Sequence, residues 1–262
     1  MAHPNFLLNQ RVLVVGGSSG LGFGVASAAL ANGSKVHITS TSPDKLSTKI
    51  ALLQSLYPGA HVSGSVTDLA NTETLEANLL AVVEAAVKET GGALNHVTFT
   101  AGDAVPLIPL SETNTTTALK PFTVRFLAPL ILGKFIAANP GRYVEGAASS
   151  SVTLTSGTLA HRPPPGMSPL VGAAGAAEVL ARALAVDLAP IRVNVVCPGP
   201  VKTELMENMY RGRMDLVESM KKGSLTKTLG TPEHAAEAYL FCMRSVLATG
   251  QNFIIDNGVL LA

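Results

Sequence analysis

Charge is scarce in this chain. Charged residues fill 14% of 262 positions and nearly cancel, 19 Lys+Arg against 18 Asp+Glu, for a formal net charge of +1. That balance leaves no basic face for a phosphate backbone, so nucleic acid is not an expected partner. Cysteine is almost absent. Cys197 and Cys242 are too far apart to make a disulfide framework or a metal site, and no metal is expected. No uninterrupted apolar run reaches the ~18 residues of a bilayer span. The segment from Phe126 to Ala138 comes nearest, but it is short and holds Pro129 and Lys134. The opening MAHPNFLLNQR has neither the apolar core nor the cleavage signature of a secretory leader. The expectation is a cytoplasmic protein with no membrane partner.

What is present is apolar. Hydrophobic residues make up 47%, and mean hydropathy is +0.34. Such a composition fits a buried parallel sheet and contacts between chains. The most informative stretch is Arg11 to Gly33, RVLVVGGSSGLGFGVASAALANG. Val12–Val15 reads as a buried strand, and Gly16, Gly17, Gly20 and Gly22 make a turn. Val25, Ala26, Ala29 and Leu30 then recur at helical spacing until Gly33. Strand, glycine turn and helix form the context in which backbone N–H groups face a pyrophosphate. Gly16, Ser18, Ser19, Gly20, Leu21 and Gly22 are the candidate cradle. An ordinary strand-to-helix turn is the plain alternative.

Strand and helix signals alternate along the rest of the chain. Strands are expected at Lys35–Thr39, Ala60–Ser65, Asn95–Thr100, Val152–Thr155, Ile191–Val196 and Asn252–Ile255. Helices are expected at Pro43–Leu56, Asn71–Glu89, about Thr116–Ala138, Pro169–Leu188 and Pro232–Arg244, with Pro121 and Pro129 bending the third. The alternation predicts one α/β domain over residues 1–262: a Rossmann-like, doubly wound parallel sheet with helices on both faces. Ligands of such a sheet sit beyond the carboxyl ends of its strands.

The glycine spacing G-x-x-x-G-x-G resembles the short-chain dehydrogenase/reductase family, with Val15 where that family has threonine. Cofactor choice is expected at the end of the second strand. There Ser40, Thr41, Ser42 and Lys45 occur with no carboxylate before Asp44, which suits a 2′-phosphate and hence NADP(H). The same polar turn also suits a helix cap. The resemblance assigns Asp68, followed by Leu69, to the adenine amino group, although Asp68 could equally cap the next helix. Thr100, Ala101 and Gly102 stand where the family brings its backbone against the ribose. Arg192–Gly199 is similar to the family's R-V-N-x-x-x-P-G, which implies that Pro198, Gly199, Val201 and Thr203 reach the nicotinamide and phosphates.

The family's usual chemistry uses serine, tyrosine, lysine and a supporting asparagine. The resemblance places Ser156 at the serine, Leu170 at the tyrosine, Ala174 at the lysine and Arg125 at the asparagine. No tyrosine or lysine occurs between Tyr143 and Lys202, so a small register shift restores neither. Leucine cannot protonate an alkoxide, whereas an iminium ion accepts hydride without a proton. Arg125, Ser156 and Asp103 are the candidate catalytic groups; a helix-surface ion pair for Arg125 and a loop-surface role for Asp103 are the alternatives. His161 reads as a locally satisfied loop residue rather than an acid.

The segments T-V-R-F, L-T-S-G and R-P-x-P-G resemble a fungal subgroup of the family, the reductase/Diels–Alderases of bicyclic indole alkaloid pathways. Its members reduce a cyclic iminium with NADPH and shape a cycloaddition. Pro164 stands at the subgroup's aspartate, with Asp103 or Glu178 as possible substitutes. The resemblance implies an NADPH-dependent reductase of an iminium-like or carbonyl small molecule, or else a non-redox NADP(H)-binding protein that shapes a cyclisation or isomerisation or acts as a cofactor sensor. It also implies a homodimer or homotetramer built through the long helices, the second of which is rich in Ala and Gly.

Overall fold

The computed structural model describes residues 3–102 and 108–262. Seven strands form one sheet: β1 (Arg11–Val15), β2 (Lys35–Ser40), β3 (Val62–Val66), β4 (His96–Phe99), β5 (Ser151–Thr155), β6 (Arg192–Pro198) and β7 (Asn252–Ile255). Their order across the sheet is β3-β2-β1-β4-β5-β6-β7, and every pairing is parallel. The winding reverses between β1 and β4, where Val15 pairs with Phe99, so the crevice opens at Gly16 and Thr100.

The apolar run in β1 is continuous because both of its faces are buried. Val12 and Val14 join one core cluster, and Leu13 and Val15 join the other. On the first side lie α1 (Gly20–Ala31), α2 (Pro43–Leu56) and, late in the chain, Pro232–Arg244. On the other lie α3 (Leu75–Thr90) and two long helical runs, Thr115–Ala138 and Ser168–Asp187. Both runs have the length and apolarity of a membrane span, but Leu132 and Ile136 of one and Leu180 and Leu184 of the other are buried against the sheet. Core packing accounts for their composition.

The first long run is not one helix. α4 (Thr115–Phe122) passes through a π turn at Thr123–Leu127 into α5 (Ala128–Ala138). Pro121 is tolerated inside α4, and the break falls ahead of Pro129. Proline has no N–H to give the carbonyl four residues back, here that of Arg125. The backbone widens instead, and the Ala128 N–H reaches the Thr123 carbonyl. This irregular turn carries Arg125.

The expected elements are all found, with ends shifted by a few residues; the α3 helix begins at Leu75 rather than Asn71. After α6 (Ser168–Asp187) and β6, the sequence reading missed two short helices, α7 (Glu204–Met209) and α8 (Met214–Lys222). α9 (Pro232–Arg244) and β7 occupy their predicted spans. The R-V-N motif proves structural. The buried Arg192 guanidinium donates to the carbonyls of Ala148, Cys242, Met243 and Ala248. Asn194 fastens the start of β7 by donating to the Ala248 carbonyl and accepting the Gln251 N–H.

Candidate functional site

A cleft crosses the carboxyl end of the sheet at the reversal point. Gly16, Ser18, Ser19, Gly20, Leu21 and Gly22 line it, as expected from the glycine pattern. Gly16 has φ +87°, and a Cβ there would stand 2.7 Å from the Ala101 nitrogen, so only glycine lets the two loops close. The tie that Val15 cannot supply comes from β2, where the Thr39 hydroxyl accepts the Gly16 N–H at 2.9 Å. The Ser18 hydroxyl donates to that of Ser40 at 2.9 Å and fixes the turn to the same strand.

Ser40, Thr41 and Lys45 line the cleft beside this turn. The Lys45 ammonium has no partner among the described residues. Ser42 serves as the cap of α2, accepting the Lys45 N–H at 3.2 Å, and does not line the cleft. Thr67, Asp68, Leu69 and Ala70 form the next wall. The Ala70 N–H donates to Asp68 Oδ1 at 2.8 Å, which leaves Oδ2 to the cleft. Asp68 does not cap α3, whose flanking residue is Thr74. Thr100, Ala101, Gly102 and Thr203 line the far side.

Pro198, Gly199 and Val201 do not line this cleft. They lie where β6 ends; the Gly199 N–H donates to Ile255, and Val201 is buried in a bridge to Gly230. Thr39, Thr67, Ala70, Val124, Glu204 and Leu205 complete the lining without having been singled out in the sequence. Most are neighbours of expected residues. Glu204 carried no signal, because its helix was not expected.

A dinucleotide fits this cleft on three observations. The Glu204 carboxylate accepts the Gly20 N–H at 2.8 Å, so the turn already holds an anionic group at the start of α1. Thr67 lines the cleft, and its hydroxyl is buried and without a partner among the described residues. Gly16, Gly20 and Gly22 also line the cleft without side chains to fill it. The chain's N–H groups, Asp68 and Lys45 would hold the cofactor, whose reduced form supplies hydride.

Of the candidate catalytic groups, Asp103 lies outside the described residues. Arg125 does not itself line the cleft but packs against Gly102, which does. A Cβ on Gly102 would stand 2.8 Å from its Nη2 and 3.0 Å from its Cζ, so the guanidinium lies directly over that backbone. Ser156 turns the other way. Its hydroxyl lies 3.1 Å from the Ala174 carbonyl and 2.8 Å from Glu178 Oε1 on α6. Glu178, 7% exposed, also meets His161 Nε2 at 3.2 Å and Cys197 Sγ at 3.5 Å through Oε1, and Asn252 Nδ2 at 2.6 Å through Oε2. Burial and the neighbouring carboxylate push the Cys197 thiol up to about 12, so it remains a protonated donor.

The comparisons agree with this architecture. The description of an SDR-like Rossmann domain matches residues 3–262. The short-chain dehydrogenase/reductase ATR9 of Stachybotrys chlorohalonatus is 36% identical over 248 residues, covering 95% of each chain. The short-chain dehydrogenase/reductase malC of Malbranchea aurantiaca is 34% identical over 261 residues, covering 98% of this chain and 97% of its own. The solved structure of that reductase/Diels–Alderase superposes with a TM-score of 0.92, covering 98% of this chain and 99% of its own. With its glycine turn, parallel sheet and full-length match, the chain belongs to the short-chain dehydrogenase/reductase family, whose members bind a nicotinamide cofactor.

Proposed function

We propose that this protein is an NADPH-dependent reductase of an activated small molecule, iminium-like or carbonyl, in fungal specialised metabolism. It works without a tyrosine–lysine proton relay. The observation that carries the reading is the Arg125 guanidinium lying over Gly102 in the wall of the dinucleotide cleft. A fixed cation there can stabilise negative charge developing on a substrate oxygen. This reading is supported by the resemblance, which puts Leu170 and Ala174, both on α6, at the family's tyrosine and lysine. The preference for NADPH rests on Ser40 and Thr41 at the end of β2 and on the Lys45 ammonium of α2, which has no partner among the described residues.

The decisive test is loss of NADPH absorbance on mixing with a panel of cyclic iminium, aldehyde and ketone substrates. Turnover of at least one class supports the reading. Tight NADPH binding with no oxidation across the panel favours a non-redox role in shaping a cyclisation, which the description of the Malbranchea protein as a reductase/Diels–Alderase also brings into view.

The same reading includes a cytosolic homo-oligomer. The outward face of α6 exposes Val179 and Val186, with Gly172 on the same stripe, a surface that lets two helices approach closely. Light scattering at micromolar concentration should give a dimer or tetramer, and a monomer would remove this part of the proposal.

A further inference from the structure

Beyond β5 the chain turns through Thr158–Ala160 and sets His161 against α6. His161 is not satisfied within its own loop, as the sequence suggested; its Nε2 lies 3.2 Å from Glu178 Oε1. Cys197 of β6 brings its Sγ to 3.5 Å from the same oxygen, and Ser156 its hydroxyl to 2.8 Å. Three groups thus converge on one carboxylate oxygen, which has two lone pairs to offer. Ser156 makes the shortest of these contacts, so the imidazole and the thiol share the lone pair that remains. Glu178 Oε2 is held separately by Asn252 Nδ2 at 2.6 Å.

Nitrogen, oxygen and sulfur at these separations make a donor set for a borderline-soft cation. Zinc binds His nitrogen at about 2.0–2.1 Å, carboxylate oxygen at about 2.0–2.2 Å and thiolate sulfur at about 2.3 Å, so neighbouring ligand atoms of a tetrahedron stand roughly 3.3–3.6 Å apart. The Nε2–Oε1 and Sγ–Oε1 distances of 3.2 and 3.5 Å fall close to those edges, and all three atoms lie within 4.8 Å of one another. Among the described residues, no other trio of His, Cys, Asp or Glu side chains is gathered in this way. Asn252 and Ser156 orient the carboxylate from outside, and the His161 side chain, 31% exposed, gives an ion its way in.

We propose that His161, Glu178 and Cys197 form a zinc site, with a fourth position open to water. The ion takes the place of the thiol proton: a zinc–sulfur bond forms as the S–H bond breaks, and the proton leaves to solvent. One dication against a carboxylate and a thiolate leaves the buried centre neutral, which a low-dielectric interior favours. The mixed donor set disfavours magnesium and calcium, which take oxygen ligands. Zinc here joins the segment after β5 to α6 and β6 beside Ser156, whose hydroxyl keeps its bond to Glu178. The expectation of no metal counted cysteines alone, and only the packing of these three elements adds the imidazole and the carboxylate to one of them.

The test uses tag-free, chelator-treated, full-length protein, with zinc chloride as the probe. Isothermal titration at pH 8 should find one ion per chain, with a proton released on binding. Cobalt(II) in place of zinc should show a near-ultraviolet thiolate-to-cobalt charge-transfer band together with the strong visible bands of a tetrahedral site. Cys197→Ser should remove the charge-transfer band. His161→Asn, a change at a partly exposed side chain, should weaken zinc by more than the roughly 10–100-fold that loss of an orienting residue costs. Zinc should raise the melting temperature of the wild type and leave that of His161→Asn unmoved. Circular dichroism checks that each variant folds; if Cys197→Ser does not, the cobalt spectrum of the wild type and the zinc affinity of His161→Asn still decide. Absence of the charge-transfer band, equal zinc affinity in His161→Asn, or no saturable binding at micromolar zinc overturns the proposal, and the trio is then a hydrogen-bonded carboxylate only.

Discussion

The Gly20 N–H at the start of α1 is held by a carboxylate 184 residues away, with Glu204 Oε2 accepting it at 2.8 Å. The other oxygen of Glu204 lies 3.9 Å from Lys49 Nζ. A pyrophosphate needs the same N–H group and carries the same sign of charge, so Glu204 must move for a dinucleotide to seat. Glu204→Gln should therefore tighten NADPH binding by about threefold, a small gain because the side chain is half exposed to screening solvent. Isothermal titration decides the matter; weaker binding in the variant would mean that the carboxylate helps the cofactor rather than competing with it.

Arg125→Ala should slow turnover at saturating substrate about tenfold or more, roughly 1.4 kcal/mol of lost barrier lowering, with NADPH affinity nearly unchanged. Gly102→Ala places a Cβ 2.8 Å from Arg125 Nη2 and should displace the guanidinium. If Arg125 acts at that position, the double variant should be no slower than Arg125→Ala alone. Additive losses would show that Gly102 and Arg125 contribute separately.

On the proposed NADPH reading, Lys45 meets the adenosine end of the cofactor from the cleft wall. Lys45→Ala should weaken NADPH about fivefold and leave NADH binding unaltered, because only the former carries a 2′-phosphate for the ammonium to meet. Equal losses for both cofactors would make Lys45 a support for the turn instead.

His37 and His96 are buried in the sheet, hydrogen-bonded to serines, and burial lowers them to about 4 and about 3 from 6.5. In the unfolded chain both take up protons as pH falls through 6.5, while the folded chain refuses them until much lower pH. Their contribution to stability is thus complete above pH 6.5 and is lost on acidification. Between pH 6 and 4 the unfolding free energy should drop by up to about 2.7 kcal/mol per pH unit. Urea melts across that range measure the slope, and His96→Gln should roughly halve it. An unchanged slope would place the acid sensitivity elsewhere.

The sequence by itself determined the sheet, its parallel winding and the cradle for a dinucleotide. Those features are local. An apolar strand, a glycine turn and a helical stripe lie within 23 consecutive residues, so their pattern can be read before the strand finds its partners β2 and β4. Ser40, Asp68 and Gly102 were legible for the same reason, since each follows a strand whose end must open at the crevice. The acidic and imidazole chemistry was not. Glu178 was legible only as a possible substitute for the subgroup's aspartate; its neighbours Ser156, His161, Cys197 and Asn252 come around it only when α6 packs on β5 and β6. Glu204 belongs to a six-residue helix with too little periodicity to announce itself, and only folding returns it to Gly20. Tertiary structure decided these contacts because they join side chains far apart in sequence. A charge becomes buried, or an N–H becomes occupied, only when the elements that carry the two partners close against one another.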